Sequence, residues 1–235
     1  MTYFYQRGGK RLTDIIGAAL GLVLASPVLL ITTYAVRTRM GSPVLFRQHR
    51  PGLNGQPFTL LKFRSMLPVG TESQGHGILE NERITRLGKL LRMSSIDELP
   101  ELWNVLKGDM SLVGPRPLLM EYLDRYTSEQ SRRHNMKPGI TGWAQVNGRN
   151  ALTWDQKFTL DLWYIDNASF FLDTRILWLT FKTVLKHSGI SAAGHSTMPE
   201  FNPSNLTTSL KCDVQASSEI GAQLDVKIGD VHKIR

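Results

Sequence analysis

The sequence predicts a mostly helical α+β protein, with a membrane helix at its start and a short β-hairpin ahead of several amphipathic helices. Three observations carry this reading. Ile15 to Val36 (IIGAALGLVLASPVLLITTYAV) is apolar and uncharged. Residues 44–66 place apolar runs on both sides of a turn-forming PGLNGQP. Beyond them, apolar residues recur at helical spacing in separate segments. With 235 residues, 41% of them hydrophobic, the chain can bury one core of ordinary size and is too apolar to be disordered. Its one cysteine, Cys212, excludes an internal disulfide and a multi-cysteine zinc site. A formal charge of +8 points to an anionic partner: nucleic acid, anionic lipid or a phosphorylated substrate.

A helix over Ile15–Val36 rises about 33 Å at about 1.5 Å per residue, enough to cross a hydrocarbon core once. A plain crossing is one reading. A signal peptide is a second, weakened by the length of the run and by Pro27 directly after Ala25-Ser26. The third is a re-entrant helix broken at Ser26-Pro27. Pro27 has no N–H and crowds the carbonyl of Val23. Ser26 can hydrogen-bond a freed carbonyl, which makes a break tolerable in lipid. Arg7, Lys10 and Arg11 precede the run, and Arg37, Arg39, Arg47 and Arg50 follow it. Basic flanks favour the cytoplasmic side, and a helix that bends back satisfies both of them. No other stretch is long and apolar enough to span.

Val44-Leu45-Phe46 and Phe58-Thr59-Leu60-Leu61 are the expected hairpin strands, and 67–80 reads as a polar loop. Arg83–Met93 is a helix candidate with Ile84, Leu87, Leu90 and Leu91 on one face. Pro100–Leu106 follows as a helix, since proline suits a first turn, and Lys107-Gly108-Asp109 ends it. GPRP (114–117) is a rigid turn before a helix from about Leu118 to Arg133. KPGITGWAQVNGRN (137–150) carries too many glycines for a helix and reads as an ordered loop. Thr153-Trp154-Asp155-Gln156 opens a helix to about Ile165. Leu172–His187 is amphipathic, either a core helix or an interfacial one. After Gly194 the chain turns rich in Ser, Thr, Asn and Gln, an extension with one strand-like run, Leu224–Ile228.

Asp97-Glu98 is the first feature able to carry chemistry. It lies at a helix start, where free N–H groups favour an ionised carboxylate. Ser95-x-x-Glu98 is equally a capping box, an ordinary structural reason for the same acid. Two adjacent carboxylates among arginines can share Mg²⁺ with a diphosphate. Arginine is the second feature. Arg64, Arg92, Arg116 between two prolines, and Arg149 in Asn-Gly-Arg-Asn suit bidentate phosphate binding as a set, although each alone reads as surface charge. Nucleotide-loop and HExxH patterns are absent. His49, His76, His134, His187 and His195 have no metal-ligand spacing and read as surface or loop residues.

These motifs, taken in order, resemble the bacterial sugar transferases, monotopic phosphoglycosyl transferases that start lipid-linked glycan assembly. The match runs from about Lys10 to Pro203. It comprises the apolar helix with Ser26-Pro27, Gln48-x-Arg50-x-Gly52, Lys62-Phe63-Arg64-Ser65-Met66, Arg92-x-x-Ser95-x-Asp97-Glu98-Leu99-Pro100, the run Gly108 to Pro117 (GDMSLVGPRP) and the run Pro138 to Gln145 (PGITGWAQ). Gly194 to Phe201 (GHSTMPEF) looks like the ending of the small, single-domain subgroup, similar to the initiating enzyme of bacterial protein glycosylation. The resemblance implies a membrane anchor over 1–40, a catalytic domain over 41–203 with interfacial helices, and an extension of unplaced role over 204–235.

It further implies transfer of a phosphosugar from a UDP-sugar to polyprenyl phosphate, with UMP released through a covalent intermediate. Asp97 would be the nucleophile, and Glu98 its partner in holding Mg²⁺. Lys62, Arg92, Arg116 and Arg149 match positions near the phosphates, and Asp161 and Asp173 match positions of less defined role. The implied partners are UDP-sugar, polyprenyl phosphate, membrane lipid and other glycan-assembly enzymes, without nucleic acid. The implied location is the cytoplasmic face of the bacterial inner membrane. Two rival readings stand beside this one: a basic, membrane-anchored nucleic-acid-binding module, and an inactive scaffold of a glycan-assembly complex, which the intact Asp97-Glu98 pair disfavours.

Overall fold

The computed structural model describes residues 5–67, 83–148 and 151–186, and Phe201. Met1–Pro199 forms one compact unit and Glu200–Arg235 a second. Arg149, the extension with its strand-like run, and nearly all of the 67–80 loop lie outside the described residues.

The first unit is mostly helical. Helix α1, Lys10–Met40, is 31 residues long and apolar enough to cross a membrane. Its backbone stays helical through Pro27, so the chain does not leave the helix at Ser26-Pro27, and a re-entrant course has to come from a kink within the helix. Ser26 Oγ donates to the carbonyl of Val23 at 2.8 Å. That is the carbonyl Pro27 cannot serve, so the helix continues with a hydroxyl replacing the missing N–H. One stripe, Lys10, Asp14, Ala18, Thr32, Val36 and Met40, is buried. The other side leaves Leu20, Val23, Leu24, Leu30, Ile31 and Tyr34 exposed, an apolar face that water does not favour and lipid does.

The hairpin forms as expected. Strands β1, Leu45–Pro51, and β2, Pro57–Phe63, pair antiparallel, with Gln48 opposite Leu60. The turn between them uses Asn54 at φ 54° and Gly55 at φ 74°, positions where Asn and Gly carry little penalty. Helix α2, Arg86–Ser94, is capped by Thr85, whose side chain accepts from Gly88 N at 2.9 Å. Leu91 is buried while Leu90 is exposed, so the expected single apolar face does not hold: neighbouring residues sit about 100° apart on a helix. Helix α3, Glu101–Lys107, ends on Gly108 at φ 101°.

Two expectations over the next segment fail. In place of one helix from Leu118 to Arg133 there are three short pieces: a 3₁₀ turn, Met120–Arg125, helix α4, Ser128–Ser131, and a second 3₁₀ turn, Arg132–Asn135. Tyr126 and Thr127 are extended, and Thr127 with Gln130 forms a capping box that restarts the helix. The glycine-rich loop also contains regular structure. Strand β4, Gly139–Thr141, pairs in parallel with β3, Ser111–Val113, and helix α5, Trp143–Val146, follows. Glycine permits this pairing, since a Cβ on Gly139 would lie 2.1 Å from the backbone nitrogen of Gly114. Helix α6, Trp154–Asn167, opens with a Thr153/Gln156 capping box, and α7, Phe170–Lys186, closes the described fold.

Two apolar clusters fix α1 to the rest. Ala18 packs with Phe58, Leu60, Val105 and Met110, and Val36 and Met40 pack with Phe63 and Leu91. On α7, Leu172 and Ile176 are buried, whereas Phe171, Trp178 and Phe181 are exposed. The core reading of this helix therefore holds for one face, and the other face presents exposed aromatic side chains.

Candidate active site at the turn between α2 and α3

Asp97 and Glu98 sit on a 3₁₀ turn, Ile96–Glu98. Helix α2 ends at Ser95, which adopts a left-handed φ of 56° and makes no side-chain cap. The capping-box reading of Ser95 and Glu98 is thus overturned, and the two acids stand on a tight connection rather than in a helical first turn. The turn packs on α2 and on β2. Strand β2 is in turn held to α3 by Asn104, whose side chain accepts from Leu61 N at 3.1 Å and donates to the Thr59 carbonyl at 2.8 Å. These bonds set Lys62 opposite the turn.

Lys62 Nζ lies 2.7 Å from Glu98 Oε1 and 3.0 Å from Glu101 Oε1. Arg116 Nη2 donates to the same Glu98 oxygen at 2.7 Å. Arg92 Nε donates to Ser65 Oγ at 3.0 Å. Burial works to raise the Glu98 carboxyl, but Arg116 and Lys62 outweigh it and hold the group well below the usual carboxylate range. Asp97 is 8% exposed. Burial, reinforced by the Glu98 charge, pushes it up to about 6 against the pull of Lys62, Arg116 and Arg92. The expected bias of a helix start toward ionised Asp97 is outweighed by this desolvation. The pair is therefore split: Glu98 is fixed as an anion, while Asp97 titrates near neutrality.

Two further cations flank Arg116. Burial and the charge of Arg116 lower Arg50, and the same two causes push Lys157 down to about 8. Arg50 Nη2 donates to Gln48 Oε1 at 2.7 Å. Part of the chain's positive excess is thus gathered around three carboxylates, an arrangement that suits a dianionic ligand. Glu101, 2% exposed, completes the acidic group. Burial drives it up to about 7; Lys62 opposes this and Glu98 adds to it. Sequence reasoning missed Glu101, Asn104 and Lys157. Arg50 was visible only as a motif residue.

The structure brings Lys62, Arg92, Arg116, Asp97 and Glu98 together, and it places three other candidates elsewhere. Arg64 is buried, and its guanidinium donates to the carbonyls of Met40, Gly41 and Ser42. It closes the end of α1 and is not directed at the carboxylates. Asp161 is buried against Arg133 at 2.7 Å. That arginine also donates to the Arg116 carbonyl at 2.8 Å, so Asp161 reaches the site through the backbone of the GPRP turn and through its charge on Lys157. Asp173 is buried beside Lys10 at 2.5 Å and accepts from the hydroxyls of Tyr5 and Tyr164 at 2.7 and 2.6 Å. His134, expected at the surface, is buried, and burial with the Arg133 charge lowers it to about 4. His49 on β1 is exposed.

Comparison with known proteins gives a consistent picture. The family model for bacterial sugar transferases matches residues 5–187. The chain is 55% identical over 195 residues to an uncharacterized sugar transferase, EpsL, of Bacillus subtilis (strain 168), covering 83% of this chain and 96% of that protein. It is 43% identical over 189 residues to a UDP-glucose:undecaprenyl-phosphate glucose-1-phosphate transferase of Klebsiella pneumoniae. It is 40% identical over 196 residues to an undecaprenyl-phosphate galactose phosphotransferase of Salmonella typhimurium. The matches cover 76% and 77% of this chain but only 41% of each of those two longer proteins.

Proposed function

The chain belongs to the bacterial sugar transferase family, and from that premise we propose that it moves a phosphosugar from a UDP-sugar to undecaprenyl phosphate. The observation that carries this reading is the split carboxylate pair held among Lys62, Arg92 and Arg116. Asp97 attacks the sugar-bearing phosphorus. The bond from that phosphorus to the bridging oxygen breaks, and UMP leaves with the oxygen. The resulting aspartyl-phosphosugar is then attacked by a phosphate oxygen of the lipid, which frees the Asp97 carboxylate and yields the lipid diphosphate sugar. Lys62 and Arg116 orient Glu98, and with Arg92, Arg50 and Lys157 they offset charge on the diphosphate. The direct test is UMP release from a panel of UDP-sugars, with undecaprenyl phosphate in a bilayer nanodisc. No release with any of them refutes the reading.

Asp97 and Glu98 are the residues that would hold Mg²⁺. An ion that takes most of its ligands from phosphate and water needs only one or two carboxylates, and an ionised Glu98 beside Asp97 supplies them. Bound there, the ion would neutralise the diphosphate. Chelation with EDTA is expected to abolish UMP release and added Mg²⁺ to restore it; release that persists in EDTA removes the metal from the scheme.

The pH dependence follows from Asp97. Its folded pKa lies above the ordinary aspartate value, so the attacking anion is depleted below about 6 and recovers above it. UMP release in a single turnover without acceptor should rise as pH passes through about 6. Omitting the lipid matters, since a phosphomonoester has its own second ionisation near 6. A flat profile between pH 5 and 7.5 contradicts the assignment.

We place the protein on the cytoplasmic face of the bacterial plasma membrane, with α1 entering and leaving on one side. The support is physical. At one end Arg11 donates to the carbonyls of Val105 and Leu106 at 2.5 and 2.7 Å, and Lys10 pairs with Asp173. At the other end Arg64 binds the last carbonyls. Both ends are tied to one body, which cannot lie on both sides of a hydrocarbon layer about 30 Å thick.

A further inference from the structure

We propose that a pocket beside the carboxylate pair receives the isoprenyl unit nearest the phosphate of the lipid acceptor; this rests on the transferase reading above. The pocket, about 130 Å³, is walled by the dyad turn, α3, β4, α5 and α7. Glu98 lies on its rim, so its occupant sits one residue from the nucleophile.

Its walls are continuous with the lipid-facing side of the fold. Leu102 lines the pocket and also packs on α1, where its Cδ1 lies 3.3 Å from a Cβ built at Gly21. The α7 wall contributes Thr180 and Thr183, while Trp178 and Phe181 of the same helix are exposed. A hydrocarbon chain leaving the bilayer along these helices therefore meets the pocket next to the site where its phosphate must react.

The polar residues of the wall are largely spent. Thr180 Oγ1 donates to the Ile176 carbonyl at 2.8 Å, which leaves Thr141 as the donor across their 2.7 Å contact. Thr183 Oγ1 donates to the Leu179 carbonyl at 2.8 Å, and Gln145 Nε2 to the Ile140 carbonyl at 3.0 Å. With their hydroxyl protons turned to the protein, the threonines have only acceptor lone pairs and carbon to offer the cavity. A hydrocarbon asks for no more, whereas a sugar ring needs donors and acceptors for each hydroxyl it buries. Gln145 Oε1 is a buried acceptor without a partner among the described residues, and it, with Ser95 and Glu98 at the dyad end of the pocket, would suit a sugar hydroxyl; the test separates the two occupants.

Thr183→Trp fills the pocket from a side chain whose hydrogen bond serves only its own helix, and Val184→Phe narrows it from the next position. With undecaprenyl phosphate in nanodiscs, both variants should raise the KM for the lipid about tenfold and leave the KM for the UDP-sugar within about twofold. An unchanged lipid KM in two folded variants overturns the proposal. A raised KM for the UDP-sugar in place of the lipid assigns the pocket to the sugar and overturns it as well. A wild-type protein that releases no UMP refutes the transferase reading itself, a failure distinct from either.

Discussion

Replacing Asp97 with Asn should lower sugar-phosphate transfer by at least about 10³-fold, because an amide cannot attack phosphorus and no neighbouring acid is free to substitute. Glu98 is held by Lys62 and Arg116, and Glu101 by Lys62. Intact-mass measurement after incubation with UDP-sugar alone should show a phosphosugar adduct on the wild type and none on Asp97→Asn. The variant should remain folded. Burial already raises the folded pKa of Asp97 above its unfolded value, so at neutral pH its charge opposes folding, and a neutral isostere relieves that cost. An unfolding midpoint equal to or above that of the wild type is therefore the expected companion result. Adduct formation by Asp97→Asn would exclude Asp97 as the nucleophile.

The largest expected stability effect lies far from the chemistry. Asp173→Ala removes the partner of Lys10 and the acceptor for Tyr5 and Tyr164. The side chains of Lys10 and Asp173 are only 9% and 8% exposed. Breaking a buried ion pair typically costs about 3–5 kcal/mol, offset in part here by the Tyr164 hydroxyl that Lys10 reaches at 3.1 Å and by the charge of Asp14. Denaturant unfolding in detergent should show a loss of that order, with part of it recovered in the double variant Lys10→Met/Asp173→Leu, which removes both charges. A loss below about 1 kcal/mol would mean that water reaches the pair.

How much of this was legible in the sequence depended on how local each cause was. The hairpin was readable because Asn54, Gly55 and the flanking prolines determine its turn within a few residues. Helix α6 was readable for the same reason, through Thr153 and Gln156. The Leu118–Arg133 expectation failed on an equally local signal, the Thr127/Gln130 capping box. The pairing of β3 with β4 was invisible because three-residue strands far apart in sequence leave no periodicity. It requires the close contact of Gly114 and Gly139, which glycine content alone suggests only as a loop.

The candidate site divides in the same way. Asp97, Glu98, Lys62 and Arg116 announced themselves as acids and bases in rigid contexts. Arg64 carried the same signal and serves a different purpose, since charge and spacing cannot distinguish a guanidinium facing carbonyls from one facing phosphate. The state of Asp97 was also misjudged. Position in the chain suggested stabilising N–H groups, whereas the deciding quantity, desolvation, depends on packing that no short window of sequence contains.

The anchoring of α1 at both ends has a practical corollary. The greasy segment is not a tether that can be clipped to give a water-soluble enzyme. A fragment starting after Met40 would take from the Arg64 guanidinium the Met40 carbonyl, one of its three, and would strand Asp173 without Lys10, and the Ser111 hydroxyl and Leu112 amide without the Asp14 oxygen that accepts from both at 2.9 Å. Solubilising this protein means wrapping its exterior, with amphiphiles or with polar substitutions on outward residues such as Leu24 and Ile31, while leaving the inward stripe untouched.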